Sequence, residues 1–320
     1  MNEVASLIIG IVILLLVMYD FFYTTLSGSG AGFISKNIAG VSHKVIQVLV
    51  KLFGRRVYSY SGLFVNLKVL AVWILLVWTG LFLVYSSHPE AIVNSDGIVA
   101  NLWERLYFTS YVLSTLGIGN FYPTSGVFEM LTGVFSFFGF IFFTSSMTYF
   151  LSVSSALIKK RGLAKTINNL GSSPAEIVES FKSFDNSYTL QQLKALQEMV
   201  DEHAVNHQAY PVIHYYSHPE PMVCLSINLT RLDEAISILI GQGEVVEFRK
   251  ELAPLRNALT NLLHHIYNNF SNEIPSVETF RSKVSLRYKI PGFDEKILEY
   301  RRRVLYSLLI SEGFNWKDVG

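Results

Sequence analysis

The hydrophobic pattern of this chain has three long, predominantly apolar stretches, at 4–26, 67–85 and 127–158, each meeting the roughly 20 residues a helix needs to cross a hydrocarbon core. The first opens with Met-Asn-Glu rather than a basic segment, and no small-residue cleavage site follows it, so it reads as a retained helix and not a signal peptide. Between the first two stretches, Val41, Val45, Leu49, Leu52 and Phe53 recur every three to four residues among Lys44, Lys51, Arg55 and Arg56. That pattern predicts a basic amphipathic helix in the membrane interface, with the Gly-rich run at 27–32 as a joint. Between the second and third stretches, Asn101 is an N-cap with Glu104 three residues on, and about a dozen apolar-rich residues follow. Such a helix is roughly 18 Å long, too short to cross.

After residue 158 the pattern turns polar but stays helical. Ser173 and Pro174 predict an N-cap and first turn, and further helices are predicted at 190–207, at 225–240 ended by Gly241, at 245–267 with an interruption near Pro254, and at 295–311. Strands do not alternate with helices, and no GxGxxG follows a strand, which argues against a Rossmann-type domain. The fold class is therefore an all-α membrane protein: three transmembrane helices, a short re-entrant helix, and a soluble helical domain. Domain boundaries follow at 1–66, 67–158 and 159–320.

Composition sharpens this division. Of 320 residues, 50% are hydrophobic and 16% charged, against about a quarter charged in a soluble domain. Residues 1–158 carry 7 Lys/Arg and 6 Asp/Glu, and the other half carries 19 of each. No acidic residue lies between Thr24 and Val84, so the basic first loop belongs in the cytoplasm. Lys159, Lys160, Arg161 and Lys165 mark the same side after the third stretch. The N-terminus is then external, the C-terminal half cytoplasmic, and the protein a multi-pass protein of the cell membrane. A net charge of +1 gives no case for nucleic acid. Cys224 is the only cysteine, which excludes an intrachain disulfide and a multi-cysteine metal site.

The chemistry concentrates at Thr115, Leu116, Gly117, Ile118, Gly119 and Asn120. Irregular backbone survives at membrane depth only where it lines water or is buried in protein, and a Thr-x-Gly-x-Gly strand can aim successive carbonyls at a dehydrated cation. One such segment cannot surround an ion, so four chains are required. A lone GxG carries little, since Gly28, Gly30 and Gly32 match it too, as do Gly241 and Gly243. The order of elements carries more: span, short capped helix, filter-like strand, Tyr122-Pro123-Thr124, span.

That order resembles the pore module of the potassium channel superfamily, in its simple form of two helices around one pore loop, over approximately residues 67–158. The resemblance implies that the carbonyls of Thr115, Leu116, Gly117 and Ile118 line a filter holding potassium ions, with the Thr115 hydroxyl closing its inner end. It implies Asn120 and Tyr122 at the outer mouth, and a hinge at Gly139, for which a plain packing role is the alternative and Gly133 a second candidate. Ile118 stands where an aromatic is usual, Asn120 where an acid is usual and Leu116 where valine is common, which bears on selectivity for potassium over sodium.

Other sites carry less. Asp20 lies near the end of the first span, where headgroup water or a basic loop residue is its expected partner. Phe143, Met147 and Leu151 share one helical face and can form an apolar constriction. His203 and His207, like His214 and His218, are four apart; they read as surface or packing histidines, with a regulatory metal at His203 and His207 as the weaker reading. No P-loop, paired-carboxylate or Ser-His-Asp signature points to an enzyme, and no cofactor beyond potassium ions is implied. No span carries a voltage-sensor series of basic residues. The resulting expectation is a passive, homotetrameric potassium channel, gated through the cytosolic helices, the interfacial segment or membrane lipid. A non-selective monovalent cation pore and a membrane-anchored sensor are the alternatives. The cytosolic half carries no recognised motif, and no ligand or partner is assigned to it.

Overall fold

The computed structural model describes residues 2–242, 250–284, 290 and 294–320. They form α1 (Glu3–Leu26), α2 (Phe33–Phe53), α3 (Ser61–Tyr85), β1 (Ile92–Asn94), α4 (Leu102–Leu113), β2 (Phe121–Pro123) and α5 (Gly126–Leu170). The chain continues as α6 (Pro174–Ser183), α7 (Asn186–Ala209), α8 (Leu225–Gly241), α9 (Leu252–Phe270), α10 (Val277–Lys283) and α11 (Glu295–Ser311). Three helical segments, Glu3–Leu26, Arg55–Tyr85 and Gly126–Leu170, are long and apolar enough to cross a membrane. The chain divides into two compact units, residues 1–42 with 63–153, and residues 43–62 with 154–320.

In the first unit, α1 and α3 touch backbone to backbone: a Cβ on Gly10 would lie 2.8 Å from the Gly80 carbonyl oxygen. Small residues permit such contact, on which helix association in a bilayer depends. Leu14, Val17 and Phe21 of α1 pack with Trp73 and Leu81 of α3, Phe108 of α4 and Phe138 of α5. Asp20 is buried among these groups, not solvated or paired with a basic residue as its position suggested. Its carboxylate accepts from the backbone N–H of Ile34 at 2.8 Å, from the Ser35 N–H and hydroxyl, and from the Trp73 indole. The first turn of a helix has N–H groups without intrahelical acceptors, and Asp20 satisfies those of α2 from the preceding helix.

Strands β1 and β2 pair antiparallel, with Val93 opposite Tyr122. Three-residue strands are too short for an alternating pattern, and nothing in the sequence announced them. The ribbon ties the segment before α4 to the segment after residue 120. Arg105 is buried and donates to the carbonyls of Tyr85, His88, Pro89 and Ala100.

The second unit is built around α8, buried on nearly every face. Its Leu229, Leu232 and Ile236 pack with Phe181 of α6, Leu196 of α7, Leu259 and Leu262 of α9, and Leu305 of α11. Two acids on α8 are paired inside. Asp233 accepts from Arg301 and Arg256, and Glu234 accepts from Arg302 at 2.7 Å. Burial pushes Asp233 up, but the two guanidinium groups outweigh it and hold the carboxyl below its ordinary value.

The structure changes several expected boundaries. Helix α5 does not end at 158: Leu163, Ala164 and Ile167 are buried in the core of the second unit, so the basic run at 159–161 ends the apolar stretch and not the helix. Lys160 is buried there and donates to the carbonyl of Tyr216 at 2.7 Å and to Glu312 at 3.3 Å. Residues 43–62, assigned by sequence to the N-terminal segment, fold with the second unit. The Ser61 hydroxyl donates to the Tyr215 carbonyl at 2.9 Å, and the Arg55 guanidinium stacks on Phe314 at 3.7 Å. Helix α7 starts four residues early because Asp185 caps it, accepting from the Tyr188 N–H. Pro254 sits in the first turn of α9, where its missing N–H costs nothing, and so does not interrupt the helix. Residues 245–249 of that expected helix lie outside the described residues. Helix α10, capped by Ser276, was not expected.

Candidate functional site: the segment between α4 and β2

Helix α4 begins where the sequence placed it. The Asn101 side chain accepts from the N–H groups of Trp103 and Glu104, and the Glu104 carboxylate accepts from the Asn101 N–H at 2.7 Å, a complete capping box. The helix is held sideways by Trp78 of α3, whose indole donates to Thr109 at 2.9 Å. After Leu113 the helix unwinds, with the Thr115 N–H donating to Val112 and the Leu116 N–H to Tyr111. Its carbonyl end, the negative end of the helix dipole, is directed at the segment 115–120.

In that segment three alternate residues have left-handed φ: Thr115 at 58°, Gly117 at 57° and Gly119 at 78°. Thr115 is the one non-glycine with positive φ among the described residues, and for a β-branched side chain this costs on the order of 1–3 kcal/mol. Left-handed φ at alternate residues is a conformation in which successive carbonyls can be aimed to one side. Thr115, Leu116, Gly117, Ile118, Gly119 and Asn120 are all exposed in the single chain.

The segment is closed at both ends. The Tyr111 hydroxyl, on α4, donates to the Phe121 carbonyl at 2.7 Å across the whole of 112–120. The β ribbon fixes Tyr122 opposite Val93, and the Thr124 hydroxyl donates to the Glu90 carbonyl. Sequence reasoning missed Tyr111; its only signal was a tyrosine four residues before Thr115.

Gly139 of α5 faces this site. A Cβ there would lie 2.0 Å from the carbonyl oxygen of Leu113, the last residue of α4, whereas one on Gly133 would meet nothing within 4 Å. Helix α5 runs unbroken through Gly139. Gly139 is therefore in close contact with the end of the short helix, as the packing alternative requires. A cleft of about 850 Å³ opens between α3, α4 and α5, lined by Trp78, Ser114, Thr115, Gly139, Phe143 and Met147. Leu151 lies further along the same exposed face of α5 and does not line it.

His203 and His207 are buried on α7, in keeping with packing and not surface histidines. His207 Nε2 lies 3.2 Å from Nδ1 of His214, and His214 Nε2 lies 3.1 Å from Glu273. Burial pushes His203 down to about 3 and His207 well below the ordinary imidazole value. Among the described residues no group of three or more His, Cys, Asp or Glu is arranged to hold a metal ion. His218 is turned away, accepting from the Glu220 N–H.

Comparison with known proteins returned one informative relative. The uncharacterized membrane protein YdjJ of Bacillus subtilis is 33% identical over 245 residues, which cover 74% of this chain and 70% of that protein. No family model matches the chain, and no solved structure does.

Proposed function

The chain belongs to the family of the membrane protein YdjJ, and from that premise we propose that it is a passive potassium channel in which four copies surround one axis. The supporting observation is the left-handed φ at Thr115, Gly117 and Gly119, at the carbonyl end of a short capped helix between two long apolar helices. In this reading the helix and segment form a re-entrant pore loop. The carbonyls of residues 115–118 replace the water shell of the permeating ion. The dipole of α4 favours a cation in front of it. Each chain is a multi-pass protein of the cell membrane, with the N-terminus external and the second unit cytoplasmic. Phe143, Met147 and Leu151, exposed in the single chain, line the inner path and close it by dewetting. Gating comes from the second unit, through which α5 continues beyond the bilayer.

Ile118 and Asn120 favour a second reading, a pore of weaker selectivity. Ile118 is about half exposed and has no hydroxyl to tie it to α4. Reversal potentials of purified protein in planar bilayers, with potassium on one side and sodium on the other, separate the two. A potential near the potassium equilibrium value supports a selective channel, one near zero supports a general cation pore, and no current at all contradicts both. Silent bilayers would favour instead a membrane-anchored sensor whose work is done by the second unit.

A further inference from the structure

Five of the eight histidines converge in the second unit, and the pore does not use them. His207 sits at their centre, its ring 5.8 Å from His203, 5.4 Å from His214 and 5.3 Å from the half-buried His265 of α9. His43 of α2 packs on Tyr215 at 5.0 Å.

With both imidazoles neutral and Glu273 ionised, the hydrogen bonds assign the protons. Glu273 accepts, so His214 Nε2 carries hydrogen and its Nδ1 does not. That Nδ1 accepts from His207 Nε2–H, which leaves His207 Nδ1 bare, and it is buried with no partner. A buried polar atom without a partner in a native fold calls for a reason. Here it is the open end of a hydrogen-bonded chain that terminates at a carboxylate.

We propose that the His207–His214–Glu273 chain is a single proton-binding site, and that its occupancy sets how α2 and α5 are held in the second unit. A proton bonds to His207 Nδ1, the Nε2–H bond of His207 breaks, and that hydrogen bonds to His214 Nδ1. His207 is neutral again with its tautomer reversed, and His214 is an imidazolium between an accepting imidazole and a carboxylate. The trio passes from a net charge of −1 to 0. No unpaired charge is left buried, which is why the chain can take up a proton that an isolated buried histidine refuses.

Two further contacts favour the cation on His214. Its ring lies flat on Phe270 with centroids 3.8 Å apart, a geometry in which a cation is attracted to the ring face. Burial pushes Glu273 up, yet the hydrogen bond and charge of His214 outweigh it and keep the carboxyl below its ordinary value, so Glu273 remains the acceptor. The other charged neighbours are Lys160 on α5 and Glu312 after α11, already paired with each other, and Lys44 of α2. Glu273 acts on both His43 and Lys44, so neutralising the trio removes a negative partner from α2. Lys160, on α5, acts on His203 and His207.

The effect on conduction rests on the channel reading; proton binding does not. The test is hydrogen exchange of the full chain in nanodiscs from pH 5 to 8, alongside potassium flux over the same range. Wild type is expected to change protection at residues 203–216 and 262–274, and flux with it, at one shared midpoint within that range. His207→Gln still donates to His214 but has no site for the added proton, and is expected to move that midpoint by about one unit or more to acid. Glu273→Gln, at a partly exposed side chain, removes the carboxylate and is expected to do the same. It carries the test if His207→Gln fails to fold. A flat wild-type profile, or one shared by wild type and Glu273→Gln, overturns the proposal. A pH-dependent exchange profile with no flux in wild type leaves the proton site standing and removes the channel.

Discussion

The indole N–H of Trp73, on α3, donates to the carboxylate of Asp20, on α1, at 2.8 Å. The same carboxylate holds the first turn of α2, so three helices are fixed by one acid inside the membrane unit. Hydrogen bonds to charged groups contribute about 1.5–3 kcal/mol, and a buried acceptor left unpaired costs more. Trp73→Phe is expected to lower stability by about that amount, and Asp20→Ala by more, because the α2 amides lose their acceptor. Denaturation of detergent-solubilised protein checks both; Asp20→Ala behaving like wild type would contradict this assignment.

Gly139 separates a hinge from a contact. A methyl 2.0 Å from the Leu113 carbonyl must displace α4 or α5, and overpacking of this kind typically costs about 1–3 kcal/mol. Gly139→Ala is expected to reduce both stability and flux, and Gly133→Ala, which meets open space, to change neither. If bending were the role, a residue such as alanine would leave stability intact and alter gating alone.

Tyr111→Phe removes only the hydroxyl that ties α4 to the Phe121 carbonyl. A hydrogen bond of about 1 kcal/mol corresponds to roughly fivefold in an equilibrium. Relative sodium permeability is expected to rise by that order, with folding intact. An unchanged reversal potential would deny the tie a part in selectivity.

The pairing of α8 with α11 is a separate matter of stability. Removing one partner of a buried ion pair costs about 3–5 kcal/mol, because the other charge stays behind unpaired. Arg302→Ala, which strands Glu234, is expected to lie in that range by thermal unfolding. Arg281→Ala, which removes an exposed partner of Glu299, is expected to leave the unfolding temperature close to that of wild type.

Acid is expected to weaken the second unit. Burial holds His43 at about 4 and His203 at about 3, below the ordinary 6.5. As pH falls below 6.5 the unfolded chain takes up protons that these folded groups refuse, so stability is full above 6.5 and is lost progressively towards pH 4. The unfolding temperature should drop across that window, and less so in His43→Gln. A rise would reverse the sign and sink the assignment.

What the sequence made legible was local. The Asn101–Glu104 box, the Ser173–Pro174 start and the limits of α11 all depend on residues within a turn of one another, and the structure has each where it was expected. The long-range features were not legible. Tyr111 reaches Phe121 across ten residues and Asp20 reaches Trp73 across 53, and neither pair has a periodic signal. The end of α5 was misread because hydropathy reports where an apolar stretch stops, and a helix that passes from one core into another keeps its hydrogen bonds while its surface changes.

The most direct measurement of the central reading is potassium efflux from liposomes holding the purified full chain, against the same protein carrying Gly117→Ala or Gly119→Ala. An alanine Cβ is strained at the left-handed φ of 57° or 78°. A channel built on this segment gives efflux in wild type and little or none in either variant, all three folding alike. No efflux in wild type, or equal efflux in all three, contradicts it.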